Sequence, residues 1–343
     1  MQYGPQQLSP QETQRFLVAV LCLCAVKVIG GLGRRTTVPQ PSAQLHRKDS
    51  RAGRIWAQEW LTRRQLHGDY DQLLQELNKE DRKGHKNFLR IYPELFEEMV
   101  ERLTPLSKKD TKMRLAQVVG LKLAVTLRHL ASENDYTSLQ YTFRVSKSSI
   151  CRFIPLVCQA IIDTYKPEVM KCSKTPEEWN DVGKRFSSKW NYFNCVGALD
   201  GKHVAIKKSK GGGSLYFNYK KFHSIILMAL SNAKYRFLFV DVSADGGAGD
   251  GETWQKCNLA RATTNNRAGL PQDRNLPNDD EPIPFHIAFA FALNLWMMKP
   301  YSQQSQDPTE RLYSYRLSRT CRVVENAFGL LQMRWRVFGT TMQ

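Results

Sequence analysis

The chain has 343 residues, with 50 Lys and Arg against 32 Asp and Glu, and a formal net charge of +18. Its 42% hydrophobic content is typical of a globular protein and excludes a disordered or collagen-like chain, and its length permits two domains. A charge excess of this size favours a polyanionic partner, and we expect nucleic acid.

The eight cysteines argue for a reducing environment and against a zinc cluster. None of them forms a C-x-x-C pair, and several lie inside apolar stripes. This pattern is typical of reduced, buried thiols in an intracellular protein. The spacing of Cys and His does not match a structural zinc site.

Residues 1–69 are predicted to be a basic N-terminal arm and linker. Within them, residues 16–26 form an apolar run of eleven residues, which is too short to span a bilayer as a helix and has flanks that suit a signal peptide poorly. We expect a helix there and no membrane partner. Residues 34–64 are rich in Arg and Lys. Two interpretations stay open for them, a solvated charge run or an arm for nuclear import and phosphate contact. The second predicts a nuclear protein that also occurs in the cytoplasm.

Residues 70–165 are predicted to be helical, because apolar residues recur there at intervals of three and four. Residues 136–154 resemble a helix-turn-helix, with Ser146 placed to cap the second helix. That helix would present four residues to DNA, namely Lys147, Ser148, Ser149 and Arg152. A helical hairpin that only packs against its neighbours is the alternative.

Residues 166–190 are polar and contain two prolines, and we expect a connector there. Beyond it, apolar runs at 196–199, 224–230 and 235–242 predict three consecutive strands. Residues 243–283 show little periodicity, and residues 311–332 form a clear amphipathic helix. This order predicts an α/β fold, an RNase H-like mixed sheet flanked by helices, preceded by the all-α helix-turn-helix region. The α/β domain would cover residues 191–343.

Two carboxylates occupy notable places in this pattern. Asp200 follows the first predicted strand, and Glu325 lies on the final helix. Carboxylates brought together from a strand and a distant helix can share divalent metal, and basic residues around them can hold a phosphate backbone. The sequence therefore predicts metal-dependent phosphodiester cleavage. The basic residues expected to contact DNA here are Lys202, Lys207, Lys208, Arg316, Arg319 and Arg322.

Two nearby features have competing interpretations. His203 is either a metal ligand or, as we favour, a satisfied histidine on a strand. Lysines 210, 220 and 221 surround the glycines at 211–213, and this segment is either a mobile loop that rests on DNA or a solvated surface loop. No G-x-x-x-x-G-K-[ST] pattern is present, which argues against a nucleotide site.

From about residue 55 to its end, the sequence resembles the Harbinger-type transposases and the nucleases derived from them, which are DDE superfamily endonucleases. Several motifs carry the resemblance in one order: GALDGKHVAI from Gly197, YFNYKKFHS from Tyr216, MKPY from Met298, YRLSR from Tyr315 and VENAFG from Val324. The segment FRVSKSSI, from Phe143 to Ile150, also resembles the N-terminal DNA-binding region of that family.

The resemblance implies three acidic residues that hold two divalent ions, Mg²⁺ or Mn²⁺. Asp200 matches the first acid and Glu325 the last. The middle acid of the family precedes the Lys-Pro-Tyr motif, but residues 284–293 contain no carboxylate here. Asp250 matches a further acidic position of the family and is a candidate ligand. The resemblance also implies a chain that continues further than Gln343, and a Myb-like partner protein. A degraded copy and an imperfect gene model both stay open.

Two function classes follow. The first is a metal-dependent DNA nuclease impaired by loss of the middle ligand. The second is a non-catalytic DNA-binding protein that retains the transposase fold. Residues 284–293 discriminate between them.

Overall fold

The structure, a computed structural model, describes residues 58–104, 117–132, 134–169, 172–208, 214–289, 296–302 and 304–341. The chain divides between Thr164 and Tyr165 into two compact units. The apolar run at 16–26 and residues 34–57 of the basic segment lie outside the described residues.

The first unit is helical, as the apolar spacing predicts. Local signals set several of its helix ends: the Asp81 carboxylate accepts the Gly84 backbone N–H, and Pro93 occupies the first turn of its helix, as expected. Arg90 has a φ of 65° and separates two helices where the apolar pattern runs on. The helices are α1 Glu59–Thr62, α2 Arg64–His67, α3 Leu73–Glu80, α4 Arg82–Leu89, α5 Pro93–Leu103, α6 Val119–Ser132, α7 Tyr136–Phe143 and α8 Lys147–Val169.

Helices α7 and α8 meet at an angle of 102°, within the range of helix-turn-helix pairs. Arg144, with a φ of 49°, turns the chain between them. The start of α8 is stabilised by the Gln140 side chain, which accepts the Lys147 backbone N–H at 2.9 Å. The Ser146 hydroxyl instead donates to the Ser149 hydroxyl at 2.9 Å. The second helix is much longer than expected, because it continues beyond residue 154 to Val169.

In the described part of the chain, no single helix is long and apolar enough to cross a membrane. The bent pair α7 and α8 passes that test only when its two helices are taken together.

The second unit is built on a five-stranded mixed sheet. Its strands are β1 Cys195–Ala205, β2 Ser224–Ser231, β3 Phe237–Asp245, β6 His286–Ala288 and β7 Met297–Met298. The sheet order is β3-β2-β1-β6-β7. Strands β1, β2 and β3 are antiparallel neighbours, whereas β6 runs parallel to β1 and β7 parallel to β6. This mixed sheet with flanking helices confirms the predicted RNase H-like α/β fold.

Helices cover this sheet. They are α9 Pro176–Trp190, α10 Asp250–Lys256, α11 Asn258–Thr264 and α12 Pro308–Arg334, with a 3-10 turn at Arg336–Phe338. A two-stranded pair, β4 Arg274–Asn275 and β5 Pro282–Ile283, stands apart from the main sheet. Helix α12 packs along β1 and also contacts β2 and β6.

Three sequence expectations differ from the structure. Residues 166–190 are not an irregular connector, because they contain the end of α8 and all of α9, whose buried Trp179, Val182 and Phe186 pack at helical spacing. Residues 243–283 contain α10, α11 and the β4–β5 pair. The first strand does not end before Asp200: unbroken pairing with β2 from residue 198 to 205 extends it to Ala205.

Candidate active site

Asp200 lies in the middle of β1, the central strand of the sheet, and is half-buried. The pKa of its carboxyl is raised to about 7, chiefly by burial and to a lesser degree by the nearby carboxylates of Asp250 and Glu325. The Gly201 backbone N–H and the Lys220 ammonium act in the opposite direction. Three acids that are distant in sequence therefore share one electrostatic environment.

Asp200 projects from the face of β1 that is covered by α12, the helix that carries Glu325. The Lys202 ammonium donates to the Gln332 side chain of α12 at 3.0 Å, so the face that carries Lys202 is the face that α12 covers. Side chains two residues apart in a strand project to the same face, which places Asp200 there as well. The Cys321 thiol of α12 agrees, since its pKa is raised to about 12 by burial and then by Asp200 and Glu325.

Asp250, the first residue of α10, approaches β1 from the other face. A Cβ atom added to Gly201 would lie 2.1 Å from the Asp250 Oδ1 atom. Neighbouring residues of a strand project to opposite faces, so Asp250 lies opposite Asp200 and α12. Its Oδ1 is buried and has no hydrogen-bond partner among the residues that the structure describes. Burial raises the pKa of this carboxyl, and Lys220 opposes the rise.

The end of β6 supplies no acid beside Asp200. Ala288 pairs with Ala198 in parallel register, which puts its side chain on the same face as those of Ala198 and Asp200. Ala288 and the following Phe289 are both fully buried. The position from which the resemblance expects the middle acid is therefore part of the apolar core.

His203 is held by its own hydrogen bonds, in agreement with the interpretation we favoured. Its Nδ1 lies 2.9 Å from the Ser224 hydroxyl, which also accepts from the Asn218 side-chain amide at 2.9 Å. The rings of Tyr219 and Phe222 pack edge-on against the imidazole. Burial and Lys220 lower the pKa of His203, so it is neutral at pH 7. By strand alternation His203 projects to the Asp250 face.

Lys220 is a residue of this site whose role could not be recognised from the sequence pattern alone. It influences the pKa of Asp200, Lys202, His203 and Asp250, although it is exposed and lies twenty residues from Asp200. The sequence groups it only with other lysines near the glycines at 211–213. Its position inside the YFNYKKFHS motif is the signal that could have singled it out.

The residues expected to contact DNA fall into two sets, one in each unit. In the first unit, Lys147, Ser148 and Arg152 are exposed at the start of α8, and Ser149 is half-buried. In the second unit, Lys207, Lys208 and Arg322 are exposed, and Lys202, Arg316 and Arg319 are half-buried. None of these basic residues forms a salt bridge within the described part of the chain.

A divalent cation fits the donor set only in part. Carboxylate oxygens are the ligands that Mg²⁺ and Mn²⁺ prefer, and Asp200 and Glu325 offer two carboxylates on one face. Asp250 offers an orphaned oxygen on the other face. Among the described residues, no group of three or more His, Cys, Asp or Glu side chains is close enough to hold an ion.

Residues 199–343 match the family model described as "DDE superfamily endonuclease". This segment is therefore similar to DDE superfamily endonucleases. The matched segment contains Asp200, Asp250 and Glu325, together with all of α12.

Curated proteins similar to the chain include "Putative nuclease HARBI1" of Rattus norvegicus, 27% identical over 238 residues, or 69% of this chain and 64% of that protein. The Homo sapiens protein of the same name is 24% identical over 213 residues, or 60% of this chain and 57% of that protein. The chain thus spans less than two thirds of the length of these relatives. No solved structure gives a significant match.

Proposed function

We propose that this protein is a transposase-derived nuclease that acts on DNA phosphodiester bonds with Mg²⁺ or Mn²⁺, and that its catalysis is impaired. The observation that carries the proposal is the pairing of Asp200 with Glu325 on the α12 face of β1, beside a β6 end that is apolar. The match of residues 199–343 to the DDE endonuclease family supports the reaction class.

Asp200 and Glu325 are the residues that would hold a cation at this face. When bound, a divalent cation supplies an activated water and neutralises charge on the leaving oxygen. Asp200 has a pKa of about 7, so its carboxyl becomes a ligand only as the pH rises through neutrality, unless a cation displaces the proton. The Lys220 ammonium lies close enough to the same carboxyl to lower its pKa, and it is exposed to an incoming phosphate.

The impairment follows from the ligand count. Two carboxylates leave a pair of ions under-ligated, and two-metal catalysis requires a fixed arrangement of both. The Ala288 side chain lies on the correct face for a third ligand, but it is a methyl group and has no oxygen atom that could bind a cation. The same observation favours the second candidate, a DNA-binding protein that retains the fold without cleaving.

The test is Mn²⁺-dependent nicking of supercoiled plasmid. We expect the unmodified chain to nick at close to background and Ala288→Asp to nick at least about tenfold faster, since an oxygen ligand then lies on the Asp200 face. Ala288→Asn is the matched control for size without charge. Asp200→Asn combined with Ala288→Asp should return nicking to background.

Two results would change this assignment. If Ala288→Asp folds and binds Mn²⁺ but adds no cleavage, the non-catalytic alternative replaces the nuclease. If the unmodified chain nicks strongly and Asp250→Asn removes that activity, Asp250 serves as the third ligand despite lying at the other face.

We further propose that α7 and α8 act as a DNA-reading helix-turn-helix. The net charge of +18, the 102° angle between the helices and the exposed start of α8 support this proposal. Replacing Lys147, Ser148 and Ser149 together by Ala should reduce the preference for a selected duplex over a random one. The reduction should be about 1–3 kcal/mol for each base that the variant can no longer recognise.

Fluorescence anisotropy with the two duplexes, at several salt concentrations, measures this preference. Affinity for both duplexes should fall steeply with salt, because each phosphate contact releases about one counterion. A triple variant that keeps its full preference would show that α8 does not read bases. Nuclear and cytoplasmic residence and a Myb-like partner are proposals that rest on the basic segment at 34–64 and on the family resemblance.

A further inference from the structure

A row of alternating aromatic and cationic side chains lies on the second unit. Its members are Tyr315, Arg319, Trp190, Lys189 and Tyr235, which we call the aromatic–cation row. The Arg319 guanidinium lies 5.6 Å from the ring centroids of both Tyr315 and Trp190. The Lys189 ammonium lies 5.3 Å from the ring of Trp190 and 4.8 Å from that of Tyr235. Each cation therefore lies over two rings.

Three separate elements build this row. Lys189 and Trp190 end α9, Tyr235 lies in the turn between β2 and β3, and Tyr315 and Arg319 lie on α12. The Trp190 indole N–H donates to the Ala233 carbonyl at 3.2 Å, which fixes the central ring against that turn. Trp190 and Tyr235 also meet edge to face at 6.3 Å. The row is thus held in place before any ligand arrives.

The cations of the row have no carboxylate partner within the described residues. The salt bridges in this unit, Lys184 with Asp181 and Lys256 with Glu252, lie elsewhere. Cation–π contacts stabilise Lys189 and Arg319 but leave their positive charge uncompensated. In a chain with a net charge of +18, such a surface is complementary to a polyanion.

The aromatic rings restrict which polyanion fits. Tyr315 is 56% exposed and offers ring surface to solvent, whereas Trp190 and Tyr235 are half-buried. Lysines and arginines would be sufficient to bind the phosphates of a polyanion. A flat ring beside them adds a stacking partner for a nucleobase, and a base can stack on a side chain only when it has left its duplex.

The row is continuous with the candidate active site through α12. Arg319 precedes Glu325 by six residues, or about 9 Å along a helix axis, and the exposed Arg322 lies between them. A strand whose backbone passes Glu325 would therefore reach Arg319 within two or three nucleotides, since a strand of B-DNA advances about 3.4 Å per phosphate.

We propose that the aromatic–cation row binds single-stranded DNA next to the candidate active site, stacking an unpaired base on Tyr315 and holding its phosphates with Arg319 and Lys189. This inference rests on the proposed function in so far as DNA is the substrate. It adds the form of DNA that the site takes, which is a strand with unpaired bases.

Fluorescence anisotropy with three labelled probes tests the proposal: a 20-nucleotide single strand of mixed sequence, a strand of equal length with abasic sites throughout, and the duplex. The unmodified chain should bind the base-containing strand more tightly than the abasic strand, by roughly tenfold for one stacked base. Tyr315→Ala should abolish that difference while leaving duplex binding within about twofold. Tyr315→Phe should keep it, because the ring remains.

Tyr301→Ala is the matched control. Tyr301 is 52% exposed, close to the 56% of Tyr315, but its ring meets only that of Tyr313 in the described structure. Arg319→Gln is a second variant, expected to weaken binding of both single strands. The proposal is overturned if the unmodified chain binds base-containing and abasic strands equally, or if Tyr301→Ala and Tyr315→Ala have equal effects. In either case, binding of the duplex would still support DNA as the partner. Absence of binding to every probe would overturn both.

Discussion

The middle of β1 and the end of β6 lie side by side in one sheet and have opposite characters. At Asp200 the strand carries a half-buried carboxyl whose pKa is raised to about 7 by burial and by two other acids. At Ala288 and Phe289 the neighbouring strand is apolar and fully buried. The comparison teaches that the fold does not need an acid at β6, and that an apolar residue there contributes packing where a ligand would cost stability.

The largest effect on stability should come from removing an apolar side chain at the end of β6. Phe289→Ala removes a fully buried ring and should lower the free energy of unfolding by about 3–5 kcal/mol. Urea unfolding followed by circular dichroism measures it. Phe217→Ala is the control, since Phe217 is 45% exposed and its replacement should cost far less stability. Equal decreases would mean that the end of β6 is not a packing site.

Replacement of Asp200 should instead raise the free energy of unfolding. Its folded-state pKa of about 7 exceeds the ordinary 3.8, so ionisation of this carboxyl destabilises the folded protein as the pH rises through that window. Asp200→Asn should therefore stabilise the chain at pH 8 by on the order of 4 kcal/mol, since the pKa is raised from 3.8 to about 7 and one pKa unit is worth about 1.4 kcal/mol. At pH 4 the gain should vanish.

Urea unfolding in EDTA at the two pH values checks this prediction. Asp273→Asn, at an exposed position of the same unit, is the control for a generic charge effect. A gain for Asp200→Asn that is independent of pH would contradict the raised pKa.

The smallest effect on stability should come from Glu325. Its side chain is exposed on α12, so Glu325→Gln should change the free energy of unfolding by no more than about 0.5 kcal/mol. The same change should weaken Mn²⁺ binding, measured by electron paramagnetic resonance, because it removes one of the two carboxylates. Unchanged Mn²⁺ affinity would separate Glu325 from the site.

Much of this fold could be predicted from local patterns. The apolar stripe of α12 predicts its buried side correctly at Leu317, Val324 and Phe328, and the runs at 224–230 and 235–242 predict β2 and β3. Helix α9 could also be predicted in principle, because its buried residues repeat at helical spacing. The polar residues on its exposed side and the two prolines in the segment instead favour a connector.

The details of the site could not be predicted in this way, because they depend on contacts between distant segments. The extension of β1 through Asp200 depends on pairing with β2. The face from which Asp250 approaches is decided by its packing against Gly201, which lies 49 residues earlier. The contact between Trp190 and Arg319 joins the end of α9 to α12, and all the strands of the sheet lie between these two helices in the sequence. No periodicity within a window of sequence contains this information.

The missing side chain of Gly201 has a consequence for how the site responds to charge. Since no Cβ intervenes, only the thickness of one backbone separates the Asp250 carboxylate from the face that carries Asp200. The charge on Asp250 raises the pKa of the Asp200 carboxyl across that backbone. Asp250 thereby acts on Asp200 from the opposite face of the sheet, and a substitution at Asp250 can shift the pH at which the Asp200 face becomes able to bind a cation.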